Sequence, residues 1–337
     1  MKINQNLNEI NFNRSSLISK ILIVKIFLLL SVFIIFQQDG FAQESSNYVM
    51  YRNSIFVFNP GATGLHQKTL ATLNAKYYPK LGFSPEIKSV SVSFEKNSPA
   101  MEGGIGFAYS YEQIENYSSQ HAAGISYSYH FDLHDAGVIG AGIYVGMIFS
   151  NISHLNGANF SRLFYVPGVA YKYKNFDLGV SVGIRFRDGS IVREPNIFNS
   201  PVVNAFSSYK FMIGPKFGIT PGIYAVFYPN SESNYEGNRS YSPLYNLNLT
   251  ASFSDKFWLG FAYVHNKSND KNDPMSRWMF PTGLHVSAGV DIAEKFRFGV
   301  SVAPNHFTDK VSGNHPDFGY FEFVFAYKVG LEKVKER

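Results

Sequence analysis

The sequence contains no cysteine among its 337 residues. The chain therefore forms no disulfide and offers no thiolate to a metal ion or to a lipid anchor. Charged residues are also scarce, at 16% of the chain, whereas ordinary soluble domains carry roughly 25%. The formal net charge is only +5 and no basic stripe occurs, which argues against nucleic acid as a partner.

Long apolar runs are missing apart from one near the start of the chain. A basic stretch precedes the apolar run at 26–36, and the small residues Gly40 and Ala42 follow it. This order predicts a secretory signal peptide over residues 1–42, with cleavage near Ala42. No segment reaches the ~20 apolar residues that a membrane-spanning helix needs, which excludes a helical membrane protein.

Aromatic residues, by contrast, are abundant. They make up 17% of the chain, with 32 Phe and 22 Tyr but only 2 Trp, and the mean hydropathy is nevertheless −0.10. A transmembrane β-barrel has this composition because alternate strand residues face lipid and a polar lumen. The aromatic residues near predicted strand ends are expected to lie in girdles at the two membrane interfaces. They include Tyr127, Tyr129, Phe131, Tyr171, Tyr173, Phe257 and Trp258.

Alternation of apolar and polar residues is the main local pattern. It is clearest at 176–187 and recurs at 245–253, 284–292 and 320–329. A period of two predicts strands with one apolar and one polar face. The charged residues on the predicted lumen faces are Asp177, Arg185, Arg187, Asp291, Glu322 and Lys328. They line a solute path or form ion pairs that fill the interior, and the sequence leaves both alternatives open.

Runs of this kind predict fourteen antiparallel strands, each near the ~9–11 residues of a tilted membrane strand. The predicted strands are 69–78, 87–96, 103–114, 119–132, 136–149, 163–174, 176–187, 203–212, 217–228, 242–253, 256–265, 281–292, 295–304 and 318–329. Tight turns alternate with long polar connections, as in bacterial barrels with short periplasmic turns and longer external loops. The predicted fold class is all-β: an antiparallel transmembrane barrel over residues 67–330 in the outer membrane of a Gram-negative cell.

Two segments flank the predicted barrel. Residues 43–66 do not alternate and contain the turn-rich stretch 59–64, Asn-Pro-Gly-Ala-Thr-Gly. We expect this segment to fold into the lumen as a plug or to sit at the periplasmic mouth. Residues 331–337 form a charged tail that we expect to be solvated.

Catalytic and metal-binding patterns are weak. The densest histidine group, His130, Asp132, His134 and Asp135, surrounds a predicted tight turn. This group could form a small metal site or simply a polar turn. We favour the turn, because strand alternation points the four side chains in different directions. Serine and histidine residues are scattered along the chain, and no serine lies at the strand-to-helix turn of a nucleophile elbow, so we predict no enzyme, catalytic residue, cofactor or metal.

Glycine clusters at 103–106 and 137–146 superficially suggest phosphate-binding loops. A dinucleotide fingerprint must open a helix after a strand, and no helical periodicity follows either cluster. The glycines are better interpreted as small residues on one strand face, which leave room in the lumen for bulkier neighbours or a plug.

Several motifs, in order along the chain, resemble one family. They are Tyr51 followed by 59–64, then Tyr-Ser-Tyr-His-Phe-Asp-Leu at 127–133, and a Pro-containing hairpin at 166–181 that ends in Gly-Val-Ser. This order resembles the PorP/SprF family, outer-membrane barrels linked to type IX secretion and gliding in the Bacteroidetes, whose first signature is Asn-Pro-Ala-x-Ala-Gly. Gly61 and Thr63 depart from that signature, and the family's Arg-x-Gln-Trp segment is missing.

The resemblance covers nearly the whole mature chain and implies a non-catalytic role in secretion or surface attachment. Implied partners are a peptidoglycan-binding periplasmic lipoprotein, other type IX components and secreted cargo with a C-terminal sorting domain, with membrane lipid around the barrel. The resemblance implies partner contacts at Tyr51, Asn59, Pro60 and Gly64.

The alternative function is a passive porin or a channel for hydrophobic solutes, because a barrel fold does not determine function. Alternation itself makes one further prediction. Val182→Arg, on the predicted lipid face, should cost roughly 2–4 kcal/mol, whereas Ser181→Arg, on the predicted lumen face, should be tolerated.

Overall fold

The structure is a computed structural model, and it describes most of the predicted barrel. The described residues are 54–66, 69–79, 86–116, 118–152, 158–187, 202–227, 243–254, 256–266, 283–293, 295–304 and 318–329. The predicted signal peptide and the charged tail lie outside these residues. None of the helices among them is long and apolar enough to cross a membrane.

Strands make up most of the described chain. They are β1 (Thr69–Tyr78), β2 (Ile87–Ser98), β3 (Gly103–Ile114), β4 (Ser118–Asp132), β5 (Val138–Ile152), β6 (Ala158–Tyr173), β7 (Phe176–Arg187), β8 (Val202–Tyr209), β9 (Phe211–Ile213), β10 (Phe217–Phe227), β11 (Leu244–Phe253), β12 (Phe257–Asn266), β13 (Gly283–Ile292), β14 (Phe296–Pro304) and β15 (Phe318–Val329). A one-turn helix, Ile55–Phe58, and a 3₁₀ turn, Pro60–Ala62, precede them.

The sheet closes on itself. Each strand pairs antiparallel with its neighbours in the chain, and β1 pairs with β15, Thr69 opposite Val329. β9 continues β8 past Lys210 along the same partner, β10, so the wall has fourteen strand positions. Closure leaves no unpaired sheet edge in hydrocarbon. The predicted fourteen-stranded antiparallel barrel is confirmed.

Alternation places apolar side chains on the outer face of the wall. Leu178 and Val180 are 45% and 48% exposed, whereas the residues that alternate with them, Gly179 and Ser181, are buried. Such an outer face is stable only against lipid, because it is a continuous exposed apolar surface. The inner face carries the glycine and polar positions of the sequence pattern.

The two ends of the barrel differ. At one end, the short-turn end, hairpins close within a few residues, and Lys174, Ser254 and Ala293 have φ near +50°. A positive φ at a turn residue occurs in the tight hairpins whose twist matches that of the flanking strands. At the opposite, long-connection end, most linking residues lie outside the described ones.

β5 and β6 are longer than predicted. Residues 150–162 were expected as a connection, but Ser150 pairs with Phe160 and Asn151 with Asn159. The Asn151 Nδ2 atom donates to Asn159 Oδ1 at 2.9 Å. Backbone pairing continues here although Asn151 and Asn159, which follow Phe149 on the outward face, are polar; this explains why alternation did not reveal it.

Candidate functional site: the barrel lumen

Residues 54–66, which we call the inner segment, lie inside the barrel. Every residue of this segment is buried except Val57 and His66, which are partly exposed. A buried segment of this kind needs partners for its backbone N–H and C=O groups. The inner wall supplies many of them.

Asn59 fixes the turn at the centre of the inner segment. Its Oδ1 atom accepts from the backbone N of Gly61 at 3.0 Å, which caps the 3₁₀ turn. Its Nδ2 atom donates to the carbonyl of Val169 on β6 at 3.1 Å. Pro60 follows at the first helical position, where a missing N–H costs nothing. One side chain thus shapes the turn and ties it to the wall.

Wall side chains bond to four carbonyl groups of the inner segment. The pairs are Ser181 Oγ with Phe58, Ser128 Oγ with Gly61 at 3.1 Å, His130 Nε2 with Thr63 at 2.9 Å and Asn97 Nδ2 with Gly64 at 3.1 Å. These donors come from β2, β4 and β7. The segment is therefore held across several strands rather than by one.

Acceptors on the wall complete the network near the short-turn end. Glu95 Oε2 accepts from the backbone N of Gly64 at 2.8 Å. The hydroxyls of Thr63 and Ser126 lie 2.6 Å apart. At the other end of the segment, the Oγ atoms of Ser54 and Ser93 lie 2.9 Å apart.

Apolar contacts hold the first part of the inner segment. Phe56 packs in a buried cluster with Ala108, Tyr144, Ile148, Phe164 and Val166. Ile55 and Phe58 belong to a second cluster, whose members include Val202, Phe206, Tyr224 and Val226. The rings of Phe58 and Tyr224 meet edge to face with centroids 5.5 Å apart.

Glycines on the inner wall make room for the backbone of the segment. A Cβ atom would lie 2.0 Å from Gly61 O at Gly140, 2.1 Å from Thr63 O at Gly104 and 2.3 Å from Pro60 O at Gly142. No side chain fits at these distances without moving backbone. The interpretation of these clusters as small residues that leave room in the lumen is confirmed.

The comparisons with known proteins agree with this arrangement. A profile of the family described as "Type IX secretion system membrane protein PorP/SprF" matches residues 40–327. The chain belongs to the PorP/SprF family. No curated protein matches the chain.

Solved structures similar to the chain are outer-membrane barrels. The "TodX monoaromatic hydrocarbon channel deltaS2 mutant" is 10% identical with a TM-score of 0.57, over 82% of this chain and 94% of that one. The deltaS2S3 mutant is 11% identical with a TM-score of 0.53, over 86% and 97%. The Pseudomonas putida toluene transporter TodX is 10% identical with a TM-score of 0.49, over 86% and 96%. At these identities the likeness shows the fold alone. Family and fold together place this PorP/SprF protein in the outer membrane, in association with the secretion system.

Three of the four PorP/SprF-like positions lie on the inner segment. Asn59 is 1% exposed, Pro60 is buried, and Gly64 bonds to Glu95. All three make or allow contacts within the barrel. Tyr51 lies outside the described residues.

Two of the charged positions form one cluster on the inner face near the short-turn end. Arg297 donates to both carboxylate oxygens of Asp291, at 2.8 and 2.7 Å, and Lys328 Nζ lies 3.3 Å from Asp291 Oδ1. Arg297 was missed from the sequence. The sequence contains the information needed to predict this ion pair, because a tight turn at 293–295 places Arg297 directly opposite Asp291.

The remaining charged positions are spread around the wall. Asp177 lies 3.4 Å from Lys172, its partner across β6 and β7. Glu322 is fully buried on β15. The backbones of Arg185 and Arg187 pair with β6, and their side chains lie outside those that the structure describes.

The histidine group near residue 132 is divided between two roles. His130 bonds to the inner segment, whereas Asp132 Oδ1 accepts from the backbone N of His134 and so caps the turn. Among the described residues, no three His, Asp or Glu side chains are grouped as metal ligands would be.

The inner wall of β11 to β14 differs from the wall under the inner segment. Its inward residues Ser252, Trp258 and Ser287 are partly exposed. Trp258 was expected in an outer girdle, and that prediction is wrong: its indole ring lies over Gly289 and Gly299 on the inside. The alternation Phe257, Trp258, Leu259 already indicated an inward side chain, because both neighbours are exposed.

Proposed function

We propose that this PorP/SprF protein is a non-catalytic docking barrel. In this proposal the inner segment closes much of the lumen, and the short-turn end faces the periplasm and binds a peptidoglycan-binding lipoprotein. The barrel then supports secretion or surface attachment of cargo with a C-terminal sorting domain. The observation that carries the proposal is the inner segment, which is buried and bonded to β2, β4, β6 and β7.

A barrel that works mainly as a channel gains little from such a segment. Filling one half of the lumen with a fixed stretch of backbone reduces the cross-section open to solutes. A docking protein gains a rigid connection from the inner segment into β1 at the short-turn end, where Gly64 and His66 are tied to Glu95 and Lys172. Bacterial barrels turn their short connections toward the periplasm, which is the side of a cell-wall-bound partner.

Asn59, Pro60 and Gly64 serve this function indirectly in our proposal. Their contacts with the wall fix the shape of the segment, and the surface that a partner touches is formed by the short turns. Substitution of Asn59 should therefore weaken partner binding by loosening the segment, not by removing a direct contact.

The test is gentle extraction of a tagged protein from outer membranes, followed by mass spectrometry of co-purifying proteins. The expected result is a peptidoglycan-binding lipoprotein together with type IX components. A variant that lacks residues 50–64 should still insert, shown by its heat-dependent shift on a denaturing gel, but should lose the lipoprotein. Unchanged lipoprotein recovery with the deletion would exclude this end of the segment from docking.

A passive channel is the second candidate function, and the partly exposed polar wall of β11 to β14 favours it. Conductance across a planar bilayer separates the two. A silent barrel that opens when 50–64 are deleted supports docking with a closed lumen. A steady conductance in the intact protein, together with recovery of the barrel alone, supports the channel.

A further inference from the structure

Near the short-turn end of β11 to β14, part of the inner wall stays partly exposed beside the inner segment. We call this part the vestibule, and it is formed by Ser252, Trp258, Ser287, Gly289, Arg297 and Gly299. All six are inward positions of their strands; the side chains of Ser252, Trp258, Ser287 and Arg297 are partly exposed, whereas Gly289 and Gly299 lie beneath the Trp258 ring. Inward positions under the inner segment, such as Gly140 and Ser128, are buried instead.

Trp258 forms a flat platform in the vestibule. A Cβ atom would lie 2.3 Å from the indole ring at Gly289 and 2.5 Å at Gly299. One face of the ring therefore packs directly on the backbone of β13 and β14, which fixes its orientation. Because the residue is still partly exposed, the ring keeps apolar surface open to the lumen. A tryptophan that merely fills a core is covered on both faces.

Polar groups stand on both sides of this platform along the strands. Toward the short-turn end lies the cluster of Asp291, Arg297 and Lys328. Deeper in the barrel, Ser287 and Ser301 lie opposite each other on β13 and β14. From Arg297 to Ser301 the wall extends about 13 Å, at the usual rise of ~3.3 Å per residue.

Two polar atoms beside the platform have no hydrogen-bond partner. They are Trp258 Nε1 and the Oγ atom of Ser301, which is fully buried. Buried polar groups are nearly always paired, and an exception points to a missing ligand or solvent molecule. The vestibule thus combines a rigid aromatic face, several hydroxyls and a charged pair at its mouth.

From this combination we propose that the vestibule binds an oligosaccharide that enters from the short-turn end. A sugar ring has one face of C–H bonds, which packs on an indole, and a rim of hydroxyls. The sugar hydroxyls can form hydrogen bonds with the serines. At the entrance, Arg297 is a donor and Asp291 is an acceptor. Sites of this kind pair an apolar surface with a few fixed polar groups. The proposal is independent of lipoprotein docking, since it concerns a ligand of the isolated barrel.

Tryptophan fluorescence provides a direct test because the chain has only 2 tryptophans. Trp278→Phe leaves Trp258 as the single reporter in the purified, detergent-solubilised barrel. Chitotetraose and maltotetraose are the probes. Binding of either one should shift the emission to shorter wavelength and protect the ring from quenching by acrylamide.

Two variants test whether the platform carries the binding. Gly299→Ala moves the indole ring and should weaken binding roughly tenfold. Gly222→Ala is the matched control, because a Cβ atom there meets only the end of the Asn248 side chain. If Gly299→Ala does not fold, Trp258→Leu with calorimetric detection replaces it and should abolish binding.

Three results would overturn the proposal. One is that neither sugar changes the emission or the quenching of Trp258. Another is binding that survives Trp258→Leu, which would place the sugar elsewhere. The third is a spectral change produced only by acidic peptides, which would make the vestibule a peptide site.

Discussion

The two halves of the lumen are lined by very different inner walls. Under the inner segment, β3 to β6 present glycines and small hydroxyl residues, and backbone lies directly on backbone, as at Gly140 and Gly61. Near the short-turn end of β11 to β14 the inner face carries serines, an indole ring and charged side chains, and there it stays partly exposed. One barrel pattern thus produces two regions: the wall under the inner segment, which we call the packed half, and the short-turn part of β11 to β14, which we call the open half.

The difference also separates two ways of satisfying polar groups. In the packed half, side chains and backbone of the segment bond to each other, as Ser128 does to Gly61. In the open half, Ser301 Oγ and Trp258 Nε1 have no partner in the protein. The packed half is therefore expected to be rigid, whereas the partly exposed Ser252 and Ser287 of the open half are expected to meet solvent.

Chemical accessibility should show the largest contrast. Because the chain has no cysteine, Ser287→Cys and Ser128→Cys each introduce a single thiol, one in the vestibule and one beneath the segment. Ser287→Cys should react freely with a charged methanethiosulfonate. Ser128→Cys should react roughly a hundredfold more slowly, as expected if the segment must open at a cost of about 3 kcal/mol. Equal rates would mean that the segment does not cover β4.

The sequence predicted the barrel because lipid imposes a simple rule on every strand. Alternation located fourteen strands within a few residues and placed Asp291 and Lys328 on the inner face. It failed where no apolar face is required, as at Asn151 and Asn159, since backbone pairing leaves no trace in side-chain polarity.

The site was harder to predict than the wall. The glycine clusters indicated that something bulky lies near the inner face, but not which residues occupy the space. The bonds of Asn59 to Val169 and of Ser181 to Phe58 join positions more than a hundred residues apart. Such contacts depend on how the segment runs across the lumen, which local pattern does not encode.

Arginine substitutions should give the next largest effect. Val182→Arg faces lipid and should cost roughly 2–4 kcal/mol. Ser181→Arg was expected from the sequence to be tolerated, but Ser181 is buried and bonded to Phe58, so we now expect a cost similar to that of Val182→Arg.

The control is Ser287→Arg, an inward serine in the open half. The vestibule can hold the longer side chain, and the change should alter stability by less than about 1 kcal/mol. Urea unfolding in lipid vesicles measures all three. If Ser181→Arg proved as mild as Ser287→Arg, the two halves would not differ in packing.

Glycine substitutions probe the close approach of backbones. Gly140→Ala places a Cβ atom 2.0 Å from Gly61 O, and overpacking of this kind typically costs 1–3 kcal/mol. Gly222→Ala, which meets only the flexible Asn248 side chain, should cost well under that. Thermal unfolding in detergent, followed by loss of the heat-dependent gel shift, compares the two. A larger effect at Gly222 would contradict the packed half.

The smallest contrast is expected between two buried asparagines. Asn59→Ala leaves the buried N–H of Gly61 and the carbonyl of Val169 without their partner, and an orphaned buried group costs about 1–3 kcal/mol. Asn246 is buried on β11, but its Oδ1 atom already lacks a partner. Asn246→Ala removes that acceptor, so it should be nearly neutral.

Urea unfolding gives the free energy of unfolding of both variants, and limited proteolysis of the inner segment adds a local readout. Asn59→Ala should expose the segment to cleavage before the barrel unfolds, because the turn it caps is also tied to β6. Cleavage that begins only with global unfolding would show that the segment is held by its apolar contacts, with Asn59 a minor contributor.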